Sequence, residues 1–350
     1  MRNSFKIGSH LIGKGKTTYC IAEISANHNQ NFQEAVALIH AAKDAGADAV
    51  KLQTYTPDTL TIPCDNQYFR VGDGTLWSGR NLYELYKESY TPWEWQPKLK
   101  KISNDLGMDL FSTPFDRSAV DFLEEMGVPA YKIASFELVD LPLIEYIAET
   151  KKPIILSTGM ASEKEIREAI ETINSTGNNS VALLKCTSAY PAPPEEMNLR
   201  TIPDLIKKFK VPIGLSDHTL GNITPIIAVS LGACIIEKHF TMSRETPGPD
   251  SPFSTEPGEF KEMVVAIRES GAALGRVNYG ITESEKANRK FRRSLFVVRD
   301  IKKGEKITSD NIRSIRPSDG IEPKYFETVL GKNAVVDIKK GSPLHWNHIS

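Results

Sequence analysis

Two short apolar runs in this chain each break off into residues able to do chemistry: Pro212-Ile-Gly-Leu-Ser-Asp-His218 and Ile235-Ile-Glu-Lys-His-Phe240. A helix-length apolar segment, 224–231, separates them. Read as strand–helix–strand, the pattern sets His218 and His239 just beyond the carboxyl ends of neighbouring parallel strands, where parallel α/β proteins keep their chemistry. Two imidazoles so placed can share a divalent transition-metal ion. Two histidines in isolation can equally be core or capping residues, so the rest of the chain has to decide.

It does so through repetition. Apolar strand patterns fall at 19–24, 49–54, 109–113, 130–134, 153–157, 181–186, 211–214 and 235–239, with amphipathic helical patterns between most of them. One helix begins at Asn31 and is closed by Gly46; another opens on the capping box Ser162-Glu-Lys-Glu165. About eight strands alternating with helices over some 250 residues is the arithmetic of a (β/α)8 TIM barrel. A doubly wound open sheet would need fewer strands and a Gly-rich first turn, which this chain lacks. Gly8-Ser-His-Leu-Ile-Gly-Lys14 begins like a phosphate-binding P-loop, but Gly15 stands where Ser or Thr must bind magnesium. Residues 5–18 read instead as a hairpin with a turn at Gly13-Lys14-Gly15.

Each strand delivers polar residues at its carboxyl end. They are Glu23; Lys51 and Gln53; Thr113; Lys132 with Ser135; Ser157; Lys185 with Thr187; Ser216 with His218; and Glu237 with His239. Alternation puts Lys51 and Gln53 on one face, and likewise Glu237 and His239. A single polar strand end is ordinary solvation, but eight converging ones call for an anionic substrate and a metal, since lysine charge and hydroxyl donors bind phosphate and carboxylate. Lys132 could instead be a Schiff-base lysine of a class I aldolase. Tyr190-Pro191 could be a simple turn, Asp250 a loop stiffener, and Arg316 a surface arginine. The longest connection, 57–95, reads as a substrate loop on the barrel's carboxyl-end face.

The whole chain of 350 residues is 40% hydrophobic and 25% charged, with a net charge of −1. That balance offers no electrostatic lure for nucleic acid or anionic lipid. The start lacks the apolar core of a signal peptide, and the apolar stretch 223–236 is too short and broken to span a bilayer. Four scattered cysteines (Cys20, Cys64, Cys186 and Cys234) read as reduced residues of a cytoplasmic protein, three of them in the core. The sequons at Asn174 and Asn222 are then chance matches. The expected organisation is a barrel with its N-terminal hairpin over 1–280, a linker over 281–293 and a small, mostly β domain over 294–350. That last part repeats Asp300-Ile-Lys-Lys-Gly304 as Asp337-Ile-Lys-Lys-Gly341.

The motifs Glu23-Ile-Ser-Ala-Asn-His28, Gly46-Ala-Asp-Ala-Val-Lys-Leu-Gln-Thr54, Ser112-Thr-Pro-Phe115, Tyr131-Lys-Ile-Ala-Ser135, Gly214-Leu-Ser-Asp-His218 and Glu237-Lys-His-Phe240 resemble those of the nonulosonic (sialic) acid synthases. The tail resembles their antifreeze-like SAF domain, of β-clip type. The resemblance implies condensation of phosphoenolpyruvate with an amino-sugar aldehyde to give a nine-carbon 2-keto acid and phosphate. Leu82-Tyr-Glu-Leu-Tyr86, Thr91-Pro-Trp-Glu-Trp95, Ser135-Phe-Glu137 and Cys186-Thr-Ser-Ala-Tyr190 are most similar to the branch taking 2,4-diacetamido-2,4,6-trideoxy-L-altrose. Pro247-Gly-Pro-Asp250 is closer to the sialic acid branch; the alternative acceptors are N-acetylmannosamine or another diacetamido hexose.

Carried over residue by residue, the resemblance makes His218 and His239 the holders of Mn2+, Mg2+ or Co2+, with Glu23 beside them for proton transfer. Lys51, Thr113, Lys132, Ser135, Ser157, Ser188 and Ser216 would hold phosphoenolpyruvate. Gln53, Glu137, Tyr190 and Asp250 would face the sugar, and Arg316 would arrive from the second subunit of a domain-swapped homodimer. A catalytically silent sugar-binding protein is the reading of a different class, which the intact set of Glu23, Lys51, Lys132, His218 and His239 opposes.

Overall fold

The computed structural model describes residues 3–350. The chain divides into two compact units, Met1–Gly275 and Arg276–Ser350.

The first unit is a closed parallel barrel, preceded by the antiparallel hairpin β1 (Ser4–Ile7) and β2 (His10–Gly13). Its staves are β3 (Tyr19–Glu23), β4 (Ala49–Thr54), β5 (Asp109–Pro114), β6 (Tyr131–Ile133), β7 (Ile154–Ser157), β8 (Val181–Cys186), β9 (Ile213–Asp217) and β10 (Ile235–His239), with β10 returning to pair with β3. These strands are buried on both faces, which is why they read as nearly continuous apolar runs rather than as alternating ones.

The connecting helices carry their own start signals. In α1 (Phe32–Asp44), Asn31 accepts from the Gln33 and Glu34 amides, and Ala35, Leu38, Ile39 and Ala42 form one buried stripe at helical spacing. Ser162 and Glu165 close a reciprocal cap ahead of the helix Glu163–Ser175, whose stripe is Ile166, Ala169, Ile170 and Ile173. Burying such an aliphatic side chain stabilises the fold by roughly 1.5–3 kcal/mol.

The hairpin turn is not where the sequence suggested. Ile7 pairs with His10, leaving Gly8 and Ser9 as a two-residue loop; Gly13 is the last paired residue, opposite Ser4, and Lys14-Gly15 follows the hairpin. Gly8 has φ +51, and a Cβ there would sit 2.1 Å from Asp109 Oδ1, so position 8 demands glycine both for its conformation and for its close approach.

Residues 57–95 form a connection on the carboxyl-end side of the barrel, built on the helix Leu82–Ser89 and short helical turns. It is tied to the rest of the unit by Trp77 Nε1 donating to the Pro249 carbonyl (2.9 Å) and Trp93 Nε1 donating to the Tyr55 carbonyl (3.1 Å).

The second unit begins with an exposed segment holding two short helical turns, Glu283–Lys286 and Ala287–Phe291. Beyond it, β11 (Ser294–Val297) pairs antiparallel with β12 (Ile312–Ile315) over a small core of its own. The repeated pentapeptides face each other: Ile301 bridges Ile338, Lys302 pairs with Asp337, and Lys339 pairs with Asp300. The repeat in sequence is thus a reciprocal pairing in space.

Candidate active site

Strand register decides who meets whom at the barrel's carboxyl end. Glu23 is the direct cross-strand partner of both His239 and Lys51. The Glu23 carboxylate accepts from Lys51 Nζ (2.7 Å), from Gln53 Nε2 (3.2 Å) and from the Ser25 amide (3.1 Å). Lys51 also reaches Thr113 Oγ1 (3.2 Å) and Glu237 Oε1 (3.2 Å). Burial pushes the Glu23 carboxyl above its ordinary range despite the opposing charge of Lys51, so it can hold a proton near neutrality.

A second cationic corner is built on Lys132. Its Nζ donates to Ser157 Oγ (2.6 Å) and to the Ile133 carbonyl (3.0 Å), and lies 3.9 Å from Glu237 Oε1. Ser216 Oγ approaches the same carboxylate oxygen at 3.5 Å. Beside it, the Gly159 amide donates to Ser135 Oγ (3.0 Å), and a Cβ on Gly159 would lie 2.2 Å from Ser188 Oγ and 2.7 Å from Ser135 Oγ. A glycine is required where hydroxyls from two loops converge, and the result is a hydroxyl-lined cradle next to a buried ammonium group. That is the chemistry of an oxyanion or phosphate site.

The two histidines share a wall of the same cavity, with ring centroids 5.3 Å apart. His218 Nδ1 lies 2.9 Å from the Thr187 carbonyl, which can only accept, so Nδ1 carries a proton and Nε2 is the nitrogen left to take a metal. His239 Nδ1 faces Ser25 Oγ at 3.2 Å, with Asp250 Oδ2 at 3.9 Å. Burial, then the neighbouring cations, holds His239 well below its ordinary value and therefore neutral. Among the described residues no group of three or more His, Cys, Asp or Glu forms a closed metal site. Two imidazoles anchored through Nδ1 fit a divalent ion that keeps open positions for substrate and water.

The cavity of ≈ 490 Å³ has a polar floor and a largely apolar roof. Lys51, Lys132, Ser157, Ser216, Glu237 and the histidines line the floor; Leu60, Val71, Trp77, Leu82 and Leu85 from the 57–95 connection supply most of the roof, with Thr75, Tyr86 and Ser89 adding hydroxyls. Gln53, Ser135, Glu137, Tyr190 and Asp250 stand between them. The Tyr190 ring lies 4.4 Å from that of His218. Burial raises the Glu137 carboxyl to about 7, and its Oε2 has no hydrogen-bond partner among the described residues. An orphaned acceptor facing a cavity is a place for a ligand donor.

The structure therefore gathers Glu23, Lys51, Gln53, Thr113, Lys132, Ser135, Glu137, Ser157, Ser188, Tyr190, Ser216, His218, His239 and Asp250 around one end of the barrel. Arg316 lies in the second unit, exposed, just after β12. The ring of polar strand ends is not complete, however. Lys185 turns away from the cavity and donates to the Cys186 carbonyl and Thr187 Oγ1, because alternation along β8 points Cys186 inward instead. Cys186 is buried but is a wall of the site rather than mere core, with Sγ 3.9 Å from His218 Nδ1. Glu237 was visible at its strand end but had no assigned role; it proves to be the carboxylate common to Lys51 and Lys132. Only the closure of β9 onto β10 and β3 reveals that position.

A barrel with a buried lysine pair, a hydroxyl cradle and two open imidazoles at its carboxyl end defines an enzyme of the phosphorylated-substrate-binding TIM-barrel class. The chain belongs to the NeuB family, whose model matches residues 38–279, and residues 292–350 match the SAF domain. It is 46% identical over 325 residues to a pseudaminic acid synthase of Helicobacter pylori, covering 93% of this chain and 95% of that one. It is 38% identical to an N,N'-diacetyllegionaminic acid synthase of Legionella pneumophila, covering 96% of each. The crystal structure of an N-acetylneuraminic acid synthetase from Leptospira borgpetersenii in complex with citrate superposes with TM-score 0.72 at 32% identity, covering 81% of this chain and 94% of that one. The chain is accordingly an enzyme that condenses phosphoenolpyruvate with a sugar to make a nonulosonic acid.

Proposed function

We propose that the acceptor is 2,4-diacetamido-2,4,6-trideoxy-L-altrose and the product pseudaminic acid, with a divalent cation (Mn2+, Mg2+ or Co2+) held by His218 and His239. What favours this acceptor is the 46% identity to a pseudaminic acid synthase, against 38% to an N,N'-diacetyllegionaminic acid synthase. The cavity supports a diacetamido sugar: its floor suits a phosphorylated carboxylate, and its roof is largely apolar, with Thr75, Tyr86 and Ser89 as its few hydroxyls, so a fully hydroxylated sugar would leave some of its own unpaired. Methyl groups, whether of acetamido substituents or of a deoxy carbon, suit that roof.

Lys132, Ser135, Ser157, Ser188 and Ser216 hold the phosphate and carboxylate of phosphoenolpyruvate, and Lys51, steadied by Thr113, supplies fixed positive charge beside them. Gln53, Glu137, Tyr190 and Asp250 orient the sugar. A cation on the histidines would supply Lewis-acid polarisation of the acceptor's carbonyl. Carbon 3 of phosphoenolpyruvate forms the new C–C bond to that carbonyl carbon, water adds at carbon 2, and phosphate leaves with its bridging oxygen as the C–O bond breaks. Glu23, raised in pKa by burial, takes and returns the proton this requires. The lysines act by positioning and charge rather than by covalent attack. Burial lowers the Lys132 pKa, but Nζ donates to Ser157 Oγ and the Ile133 carbonyl and has Glu237 Oε1 3.9 Å away, contacts that oppose the loss and support the positioning role over a Schiff base.

The test is phosphate release from phosphoenolpyruvate and Mn2+ with three acceptors in parallel: the L-altrose diacetamido sugar, N-acetylmannosamine, and the diacetamido precursor of legionaminic acid. Strong release with the first alone supports the reading. Release with another alone overturns the sugar assignment, and borohydride trapping of Lys132 with pyruvate would replace the mechanism by that of a class I aldolase.

A further inference from the structure

One buried ion pair beside the site takes no part in the chemistry above. Lys238 Nζ donates to Asp217 Oδ2 at 2.5 Å, and the two side chains are 1% and 0% exposed. β9 and β10 are in register so that these two residues are direct partners. They lie on the face of the barrel opposite the cavity, whereas Ser216, His218, Glu237 and His239 line it.

The pair is part of a closed loop. Asp217 Oδ1 accepts from the Thr219 amide (3.1 Å) and from Thr219 Oγ1 (2.9 Å), while Lys238 Nζ also donates to the Thr219 carbonyl (2.6 Å). Both chain neighbours of His218 are thereby fastened to the residue that precedes His239. β9 ends at Asp217; beyond the ladder the His218 backbone is held by one bond, its carbonyl accepting from the Ala192 amide (2.9 Å), and by the clasp on either side of it.

A buried charge pair returns little net stability compared with a well-packed apolar pair of similar volume. Its distinctive contribution here is geometric. We infer that Asp217, Thr219 and Lys238 form a clasp that sets the separation of the His218 and His239 imidazoles, so that these three are positioning residues for the divalent cation rather than catalytic ones. The inference rests on the reading that the two histidines hold that cation. Outer-sphere groups that orient ligands commonly alter metal affinity 10–100-fold when removed.

The experiment is titration of the full-length protein with Mn2+, counting free ion by its six-line electron paramagnetic resonance signal. Three proteins are compared: wild type, the doubly neutral Asp217→Asn/Lys238→Met variant, and Thr219→Val, which keeps both charges and guards against a double variant that fails to fold. Circular dichroism checks the folded fraction of each. The clasp predicts a Kd for Mn2+ raised about 10–100-fold in the double variant and about 3–10-fold in Thr219→Val, with the folded fraction unchanged. A folded Thr219→Val or double variant that binds Mn2+ as tightly as wild type overturns the clasp while leaving the cation site standing. A wild type that binds Mn2+ no more tightly than a His218→Ala control overturns the cation reading and the clasp with it.

Discussion

Glu23 Oε2 and Lys51 Nζ lie 2.7 Å apart, at side-chain exposures of 0% and 5%, on strands whose register makes the two residues direct partners. This pair, with Glu237 3.2 Å from the same nitrogen, fixes the charge balance of the whole floor. Lys51→Met would leave two buried carboxylates short of a cation. The expected cost is about 3–5 kcal/mol of stability, read from urea unfolding, together with loss of phosphate release. A variant as stable as wild type would mean that water already screens the pair.

Gly159→Ala tests the cradle. Its Cβ would need the space of Ser188 Oγ and Ser135 Oγ. The expected outcome is a KM for phosphoenolpyruvate raised at least ~10-fold, which is about 1.4 kcal/mol of lost binding, with a thermal midpoint close to wild type. An unchanged KM would place the phosphate elsewhere.

Glu137 gives a pH prediction. Its carboxyl is raised from the ordinary 4.5 to about 7, chiefly by burial. The folded state therefore binds the proton more tightly than the unfolded chain, so this group's relative stabilisation is complete below about 4.5 and is lost as pH rises towards 7. The loss is on the order of 1–3 kcal/mol. In Glu137→Gln that component of the stability–pH slope should vanish, as measured by unfolding at pH 5, 6, 7 and 8; a slope identical to wild type would show that Glu137 is ionised throughout.

His218→Ala and His239→Ala should each cut metal-dependent turnover by about 100–1000-fold or more, the range of losing transition-state charge stabilisation. Their far-ultraviolet circular dichroism should match wild type. Turnover surviving in either variant after chelation would remove both residues from the reaction.

Arg316 is exposed in the second unit, and its proposed contact with an acceptor comes from a second copy of the chain. Mixing inactive Arg316→Ala with inactive His218→Ala should then restore activity towards about one quarter of the wild-type sites, the share that random dimers complete. No recovery on mixing would place Arg316 in its own chain's chemistry or outside it.

Much of this protein is settled along the chain itself. Apolar runs of strand length alternating with capped amphipathic segments specify β/α units, because backbone pairing and apolar burial act locally and periodically. Strand alternation likewise determines that Lys51 accompanies Gln53, and that Glu237 accompanies His239. What the sequence leaves open is every relation that depends on closure. The turn of the first hairpin falls at Gly8-Ser9 through the register of its strands, and Asp109, a hundred residues away, leaves no room for a Cβ at position 8. Lys185 left the site and Cys186 entered it, since only the placed barrel says which face of β8 is inside. Glu237 became the acid shared by Lys51 and Lys132, and Asp217 came to clasp Lys238, through a register between strands that no local pattern encodes. Contacts between residues far apart in sequence are set by how the chain packs, and only the tertiary structure brings them together.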